Sequence, residues 1–164
     1  ELETGELMIV MREGWTGTGW PLLRSYSGDG GATWSEVDPV PAFSVEPAMR
    51  QLSSGTIVIT SGRPGIYLWL STDARGRSWQ QIDIIGHHND WAPSPEFVIN
   101  SSTYLDRNLL HNHEQTTAYT DLVEVAPDRL LMVYDRIPFG WTPVPADSDE
   151  VSRIFVLPIS IDRA

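Results

Sequence analysis

The strongest constraint on this chain is that it repeats itself. Gly5-Glu6-Leu7-Met8-Ile9-Val10-Met11-Arg12, Gly55-Thr56-Ile57-Val58-Ile59-Thr60-Ser61-Gly62-Arg63 and Asp128-Arg129-Leu130-Leu131-Met132-Val133-Tyr134-Asp135-Arg136 are each a turn residue, an apolar β-prone run and an arginine. In the first two copies a further strand candidate, 22–26 or 67–70, leads into a loop that ends in tryptophan. These loops are Ser27-Gly28-Asp29-Gly30-Gly31-Ala32-Thr33-Trp34 and Ser71-Thr72-Asp73-Ala74-Arg75-Gly76-Arg77-Ser78-Trp79. The tryptophans lie 45 residues apart, within the interval of about 40 to 50 residues that one four-stranded propeller blade occupies. Short runs ahead of the second and third copies, 47–52 and 119–125, read with them as hairpins. The third copy leads to a strand candidate at 153–161 without the tryptophan loop, and no helix-period segment of useful length is evident between the copies.

Composition narrows the partners. At 164 residues, 41% hydrophobic and 20% charged, the chain can bury one ordinary core and falls outside the disordered and collagenous classes. Thirteen Gly and 12 Pro suit many short elements joined by turns. No apolar run approaches the length needed to cross a bilayer, so no membrane span is expected. The net charge of -11 opposes a phosphate backbone, which argues against nucleic acid. Every basic residue is arginine, the side chain best matched to two-pronged contact with a carboxylate, so an anionic small ligand remains in play. Zero Cys removes disulfides, thiolate zinc sites and a cysteine nucleophile, and leaves the compartment open.

The string Ser27-x-Asp29-x-Gly31-x-Thr33-Trp34 resembles the Asp-box, or BNR repeat, of the sialidase (neuraminidase) superfamily at all its defining positions; the second copy has one inserted residue and Ser78 in place of Thr. Its physical role is in folding: Asp accepts turn amides, Gly supplies positive φ, and Trp covers the blade. The motif therefore marks a fold more than an activity. The fold it implies is all-β, a sialidase-like β-propeller fragment of about three four-stranded blades and the C-terminal portion of a larger propeller. The blades would run approximately 1–43, 44–86 and 117–164, with an atypical insert at 87–116.

In such blades the second strand returns to the face where the first began, and the Asp-boxes lie on the opposite face. Glu46 and Tyr119 precede or open first strands, while Arg12, Arg63 and Arg136 close second strands, so all five are expected on one face. The segment 44–55 is similar to the family stretch whose Glu assists the nucleophile. Arg63 falls where the family binds the substrate carboxylate, and Ala118-Tyr119-Thr120-Asp121-Leu122 is similar to the segment carrying the tyrosine nucleophile. The resemblance implies a retaining exo-glycosidase for terminal sialic or related acidic sugars. Tyr119 and Glu46 would be catalytic, and Arg63, Arg12, Arg136 and Asp121 would bind substrate, with no metal and no cofactor. A neutral phenol avoids the repulsion that a carboxylate nucleophile would meet at a carboxylate-bearing anomeric carbon. With an ordinary pKa near 10, it needs a base such as Glu46 and gains from a nearby arginine.

Two features depart from the family. Only 39 residues separate Trp79 from Tyr119, without the blade pattern, and the usual acidic proton donor has no counterpart. Partners implied are an acidic glycan and either the remaining propeller blades or self-association. Two other readings stand beside this one. A noncatalytic propeller would bind glycan or protein through loop aromatics such as Trp15, Trp20 and Trp141. A polysaccharide lyase would use Tyr119 with one of His87, His88, His111 and His113 on uronic acids, and metal binding by these histidines matches no recognised spacing.

Overall fold

The computed structural model describes residues 1–12, 21–43, 46–62, 65–100, 115–139 and 143–162. Among them are ten strands and one short α-helix, so the chain is all-β in character: β1 (Leu7–Arg12), β2 (Pro21–Ser27), β3 (Asp38–Phe43), β4 (Ala48–Gln51), β5 (Ile57–Gly62), β6 (Ile66–Ser71), β7 (Gln80–Asp83), α1 (Ile84–Trp91), β8 (Asp121–Ala126), β9 (Arg129–Arg136) and β10 (Arg153–Ser160). They form three antiparallel sheets, β1-β2-β3, β4-β5-β6-β7 and β8-β9-β10. Only the middle sheet has four strands among the described residues. The first contains the equivalents of β5, β6 and β7, and the third the equivalents of β4, β5 and β6.

In its first two copies the repeat is reproduced bond by bond. Leu2 N–H donates to the Glu6 carbonyl and Gly5 N–H to that of Leu2; Leu52 N–H donates to Thr56 and Gly55 N–H to Leu52, every distance being 2.8 Å. Gly5, Gly55 and Asp128 occupy the same turn position with φ of 81°, 85° and 56°. That left-handed backbone suits Gly at no cost and tolerates Asp.

The sheets stack face to face, and the alternation of β5 shows why. All six of its residues are buried, as in a strand covered on both faces. Ile57 and Ile59 turn to the first sheet, where they meet Leu2, Met8, Leu22 and Val40. Val58 turns to the third sheet and joins Leu122, Leu130, Met132 and Tyr134 in the largest core. The prolines fall where a missing N–H is tolerated: Pro39 and Pro41 lie in β3 and Pro158 in β10, each strand at the end of its sheet.

Helix α1 was not expected from the sequence. Asp83 caps it by accepting the Gly86 amide at 2.9 Å, and Ile84 and Ile85 enter the largest core beside Ile99. At eight residues its apolar periodicity is too brief to see, although an Asp followed by an apolar pair was a usable cap signal. A 3-10 turn at Pro95–Phe97 follows.

Candidate functional site

Strand direction decides which residues share an end of the stack. Ala48 pairs with Thr60, so Glu46, two residues ahead of β4, lies at the end where β5 finishes on Gly62. Asp121 pairs with Val133, which puts Tyr119 at the end where β9 finishes. Thr120 joins the two hairpins there, its Oγ1 donating to Thr60 Oγ1 at 2.8 Å. Arg12 closes β1 at the same end, since Met8 packs near Ile57 and Val10 near Ile59. Arg63 lies outside the described residues, as do Trp15, Trp20, Trp141, His111 and His113.

Tyr119 stands on a clamped turn. The Asp135 carboxylate accepts from Thr116 Oγ1 at 2.7 Å, the Thr117 amide at 2.8 Å and Thr117 Oγ1 at 2.5 Å. Thr116 Oγ1 in turn accepts the Ala118 amide, and Thr117 Oγ1 the Tyr119 amide. Ala118 is fully buried with φ of 57°, a conformation that costs a residue with a Cβ about 1–2 kcal/mol. It fits because Gly62 faces it: a Cβ on Gly62 would fall 2.6 Å from that of Ala118. Between buried Ala118 and Thr120, Tyr119 itself is 48% exposed. Asp135 was missed at the sequence level; the Thr-Thr pair two residues ahead of Tyr119 was the available sign of a side-chain-bonded turn.

The remaining predicted residues divide. Glu46 and Arg12 are exposed. Asp121 is exposed and meets Arg50 of β4 at 3.4 Å, an ion pair between the two first strands. Arg136 is 2% exposed. Its Nε donates to the Val98 carbonyl at 2.8 Å and its Nη1 to Glu150 at 3.0 Å. Its guanidinium is therefore occupied in holding the segments around Val98 and Glu150 to β9, and it does not fit the substrate-binding role the sequence suggested.

The two loops that run from Ser27 to Trp34 and from Ser71 to Trp79 lie at the opposite end, after β2 and β6. Asp29 accepts from Thr33 Oγ1 at 2.6 Å, the Thr33 amide at 2.9 Å and Ser27 Oγ at 2.8 Å, and these bonds hold its carboxyl down at about 2. For Asp73, burial pushes the carboxyl up, but the amides of Arg77, Ser78 and Arg75 together with the Ser78 hydroxyl outweigh it, and the net shift is well below the usual range. The second loop also seats against the first sheet. Arg75 pairs with Glu6 at 2.7 Å, the Tyr26 hydroxyl donates to the Arg75 carbonyl, and Arg24, bonded to Asp38, donates to that of Gly76.

A second feature lies around α1. A cleft of about 440 Å3 is lined by His87, Trp91, Phe97 and Phe155 among others. Trp91 is 78% exposed at its edge. His88 is held on both ring nitrogens, Nε2 at 2.8 Å from the Phe97 carbonyl and Nδ1 at 2.9 Å from the Tyr134 hydroxyl. A carbonyl only accepts, so Nε2 carries a proton. Among the described residues no group of three or more His, Asp or Glu is placed to hold a metal ion, and no helix is long and apolar enough to cross a membrane.

These features define an all-β chain of three stacked antiparallel sheets. One end carries Asp-capped tryptophan loops and the other an exposed tyrosine on a hydrogen-bonded turn. Comparison with family models, curated proteins and solved structures finds no match to this chain.

Proposed function

We propose that the sheets are propeller blades and that the end bearing Tyr119 and Glu46 is the substrate face of a sialidase-like, retaining exo-glycosidase for terminal acidic sugars. The observation that carries the reading is the turn beneath Tyr119. Strained, buried and clamped on both sides, it directs one phenol outward at the end of the stack where Glu46 also lies. In this reading the Tyr119 oxygen attacks the anomeric carbon as Glu46 takes the phenolic proton, and the glycosidic bond breaks. Water then hydrolyses the glycosyl-tyrosine intermediate. Arg63 and Arg12 bind the sugar carboxylate, Asp121 accepts from sugar hydroxyls, and Arg136 supports the site by anchoring β9. The acid that protonates the leaving group is not among these residues.

The test is hydrolysis of a fluorogenic sialoside by the protein. Tyr119→Phe keeps the ring and removes the nucleophilic oxygen, so turnover should fall at least about a hundredfold, with Glu46→Gln losing a comparable factor. Undiminished turnover by Tyr119→Phe would sink the reading. Exposed Trp91 beside its aromatic cleft favours one alternative, a noncatalytic glycan-binding protein, for which binding without turnover and its loss in Trp91→Ala are the signature. For the lyase reading, both ring nitrogens of His88 are already bonded, which leaves exposed His87 as its candidate among the described residues.

A further inference from the structure

Among the described residues the stack has two outer faces that no other sheet covers, and they are unlike. The repeat puts Leu130 and Met132 of β9 where Ile57 and Ile59 stand in β5, and each pair is buried against the preceding sheet. The same repeat puts Leu131 and Val133 where Met8 and Val10 stand in β1. Met8 and Val10 belong to the face that the second sheet covers, whereas among the described residues no further sheet packs on the face of the third sheet that bears Leu131 and Val133; the 116–117 segment meets that face at Asp135. That face carries exposed apolar side chains from all three strands, Val123 at 51%, Val133 at 36%, Val156 at 60% and Ile154 at 76% exposed, with Asp121, paired to Arg50, and Asp135 toward one end of it. A shallow cleft of about 360 Å3 runs beside Leu131 and Val133. A sheet apolar on both sides is built to be covered on both.

At the other end of the stack, the free face of the first sheet carries Leu7 and Ile9, the equivalents of Ile57 and Ile59. Beside Leu7, across Gly31, lies Trp34, 44% exposed. Its counterpart Trp79 packs onto the cluster of Leu2, Met8 and Ile57. What Trp79 does to the first sheet, Trp34 is shaped to do to a face of the same kind, and the third sheet presents one. Arg129 stands where Glu6 pairs with Arg75, and the loop of Trp34 has no arginine, so the docked loop brings no like charge against Arg129.

We propose that a second copy of this chain docks head to tail, with the free face of its first sheet on the free face of the third and Trp34 against Leu131. The contact joins unlike patches, the heterologous mode that builds rings or open arrays. It rests on the stacking of the sheets and not on any glycosidase activity, so the two fail separately.

The experiment is light scattering and sedimentation of the full chain over a concentration series. The expected result is a mass that rises with concentration above the 18.4 kDa of one chain. Val133→Glu and Ile9→Glu, each checked for native circular dichroism, should both be monomeric where the parent associates. A mixture of the two should pair again, because one supplies an intact first-sheet face and the other an intact third-sheet face. Val156→Lys serves in place of Val133→Glu if that variant does not fold. A parent that stays monomeric at every concentration overturns the proposal. So does undiminished association of Ile9→Glu, which indicates like-face pairing, or a mixture no larger than its components.

Discussion

Asp29 and Asp73 show what single side chains contribute here: each closes a loop by accepting several backbone and hydroxyl protons in its charged form. Both carboxyls are depressed in the folded state, so they stabilise the fold above their ordinary value. For Asp29 that contribution is whole above 3.8 and is lost as pH falls through about 2. Urea melts at neutral and strongly acidic pH should therefore show Asp29→Asn and Asp73→Asn losing less stability on acidification than the parent. Asp73 carries the larger load, because its loop also joins the first two sheets through Arg75 and Gly76. Asp73→Ala should cost about 2 kcal/mol in denaturant titration. Gly62→Ala is a second residue-scale test. The added methyl would lie 2.6 Å from the Ala118 Cβ and 2.8 Å from the Gly65 oxygen, so a loss of about 1–3 kcal/mol is expected. Displacement of the Tyr119 turn should accompany it, read as a changed amide spectrum at 116–120.

At the scale of elements, the hairpins were visible from sequence and the turn that carries Tyr119 was not. Strand runs and their Gly or Asp turns are local signals, so the ends of β1, β5 and β9 could be located, and Arg12 and Arg136 with them. The clamp on 116–119 depends on Asp135, 18 and 19 residues away, and no local pattern announces it. Asp135→Ala should release three hydrogen bonds to a carboxylate and cost about 2–3 kcal/mol, measurable as a lower denaturation midpoint. If Tyr119 is the nucleophile, turnover should fall further than that loss of folded protein explains. Helix α1 escaped notice for a related reason: its eight residues are held by packing of Ile84 and Ile85 rather than by intrinsic propensity.

For the whole molecule, the middle sheet is the structural centre. Ile59 is fully buried between the first two sheets. Ile59→Ala should remove about 2–5 kcal/mol, seen as a single cooperative transition at a lower midpoint, because the sheets share their cores. Sheets of this kind have no interior of their own; each is completed by its neighbours, which is why the outermost faces are the ones proposed to meet a second copy.

The amino-acid order alone determined the repeat, the strand alternation, the left-handed turn positions and the loops that Asp29 and Asp73 close. All of these depend on residues within a few positions of one another. Only the tertiary structure decided which face of each sheet is covered, that Arg136 is enclosed by Val98 and Glu150, 38 and 14 residues distant, and that Ala118 adopts positive φ against Gly62. Those outcomes turn on which side chains meet across the stack, and period-two alternation gives two faces without saying which neighbour each will find.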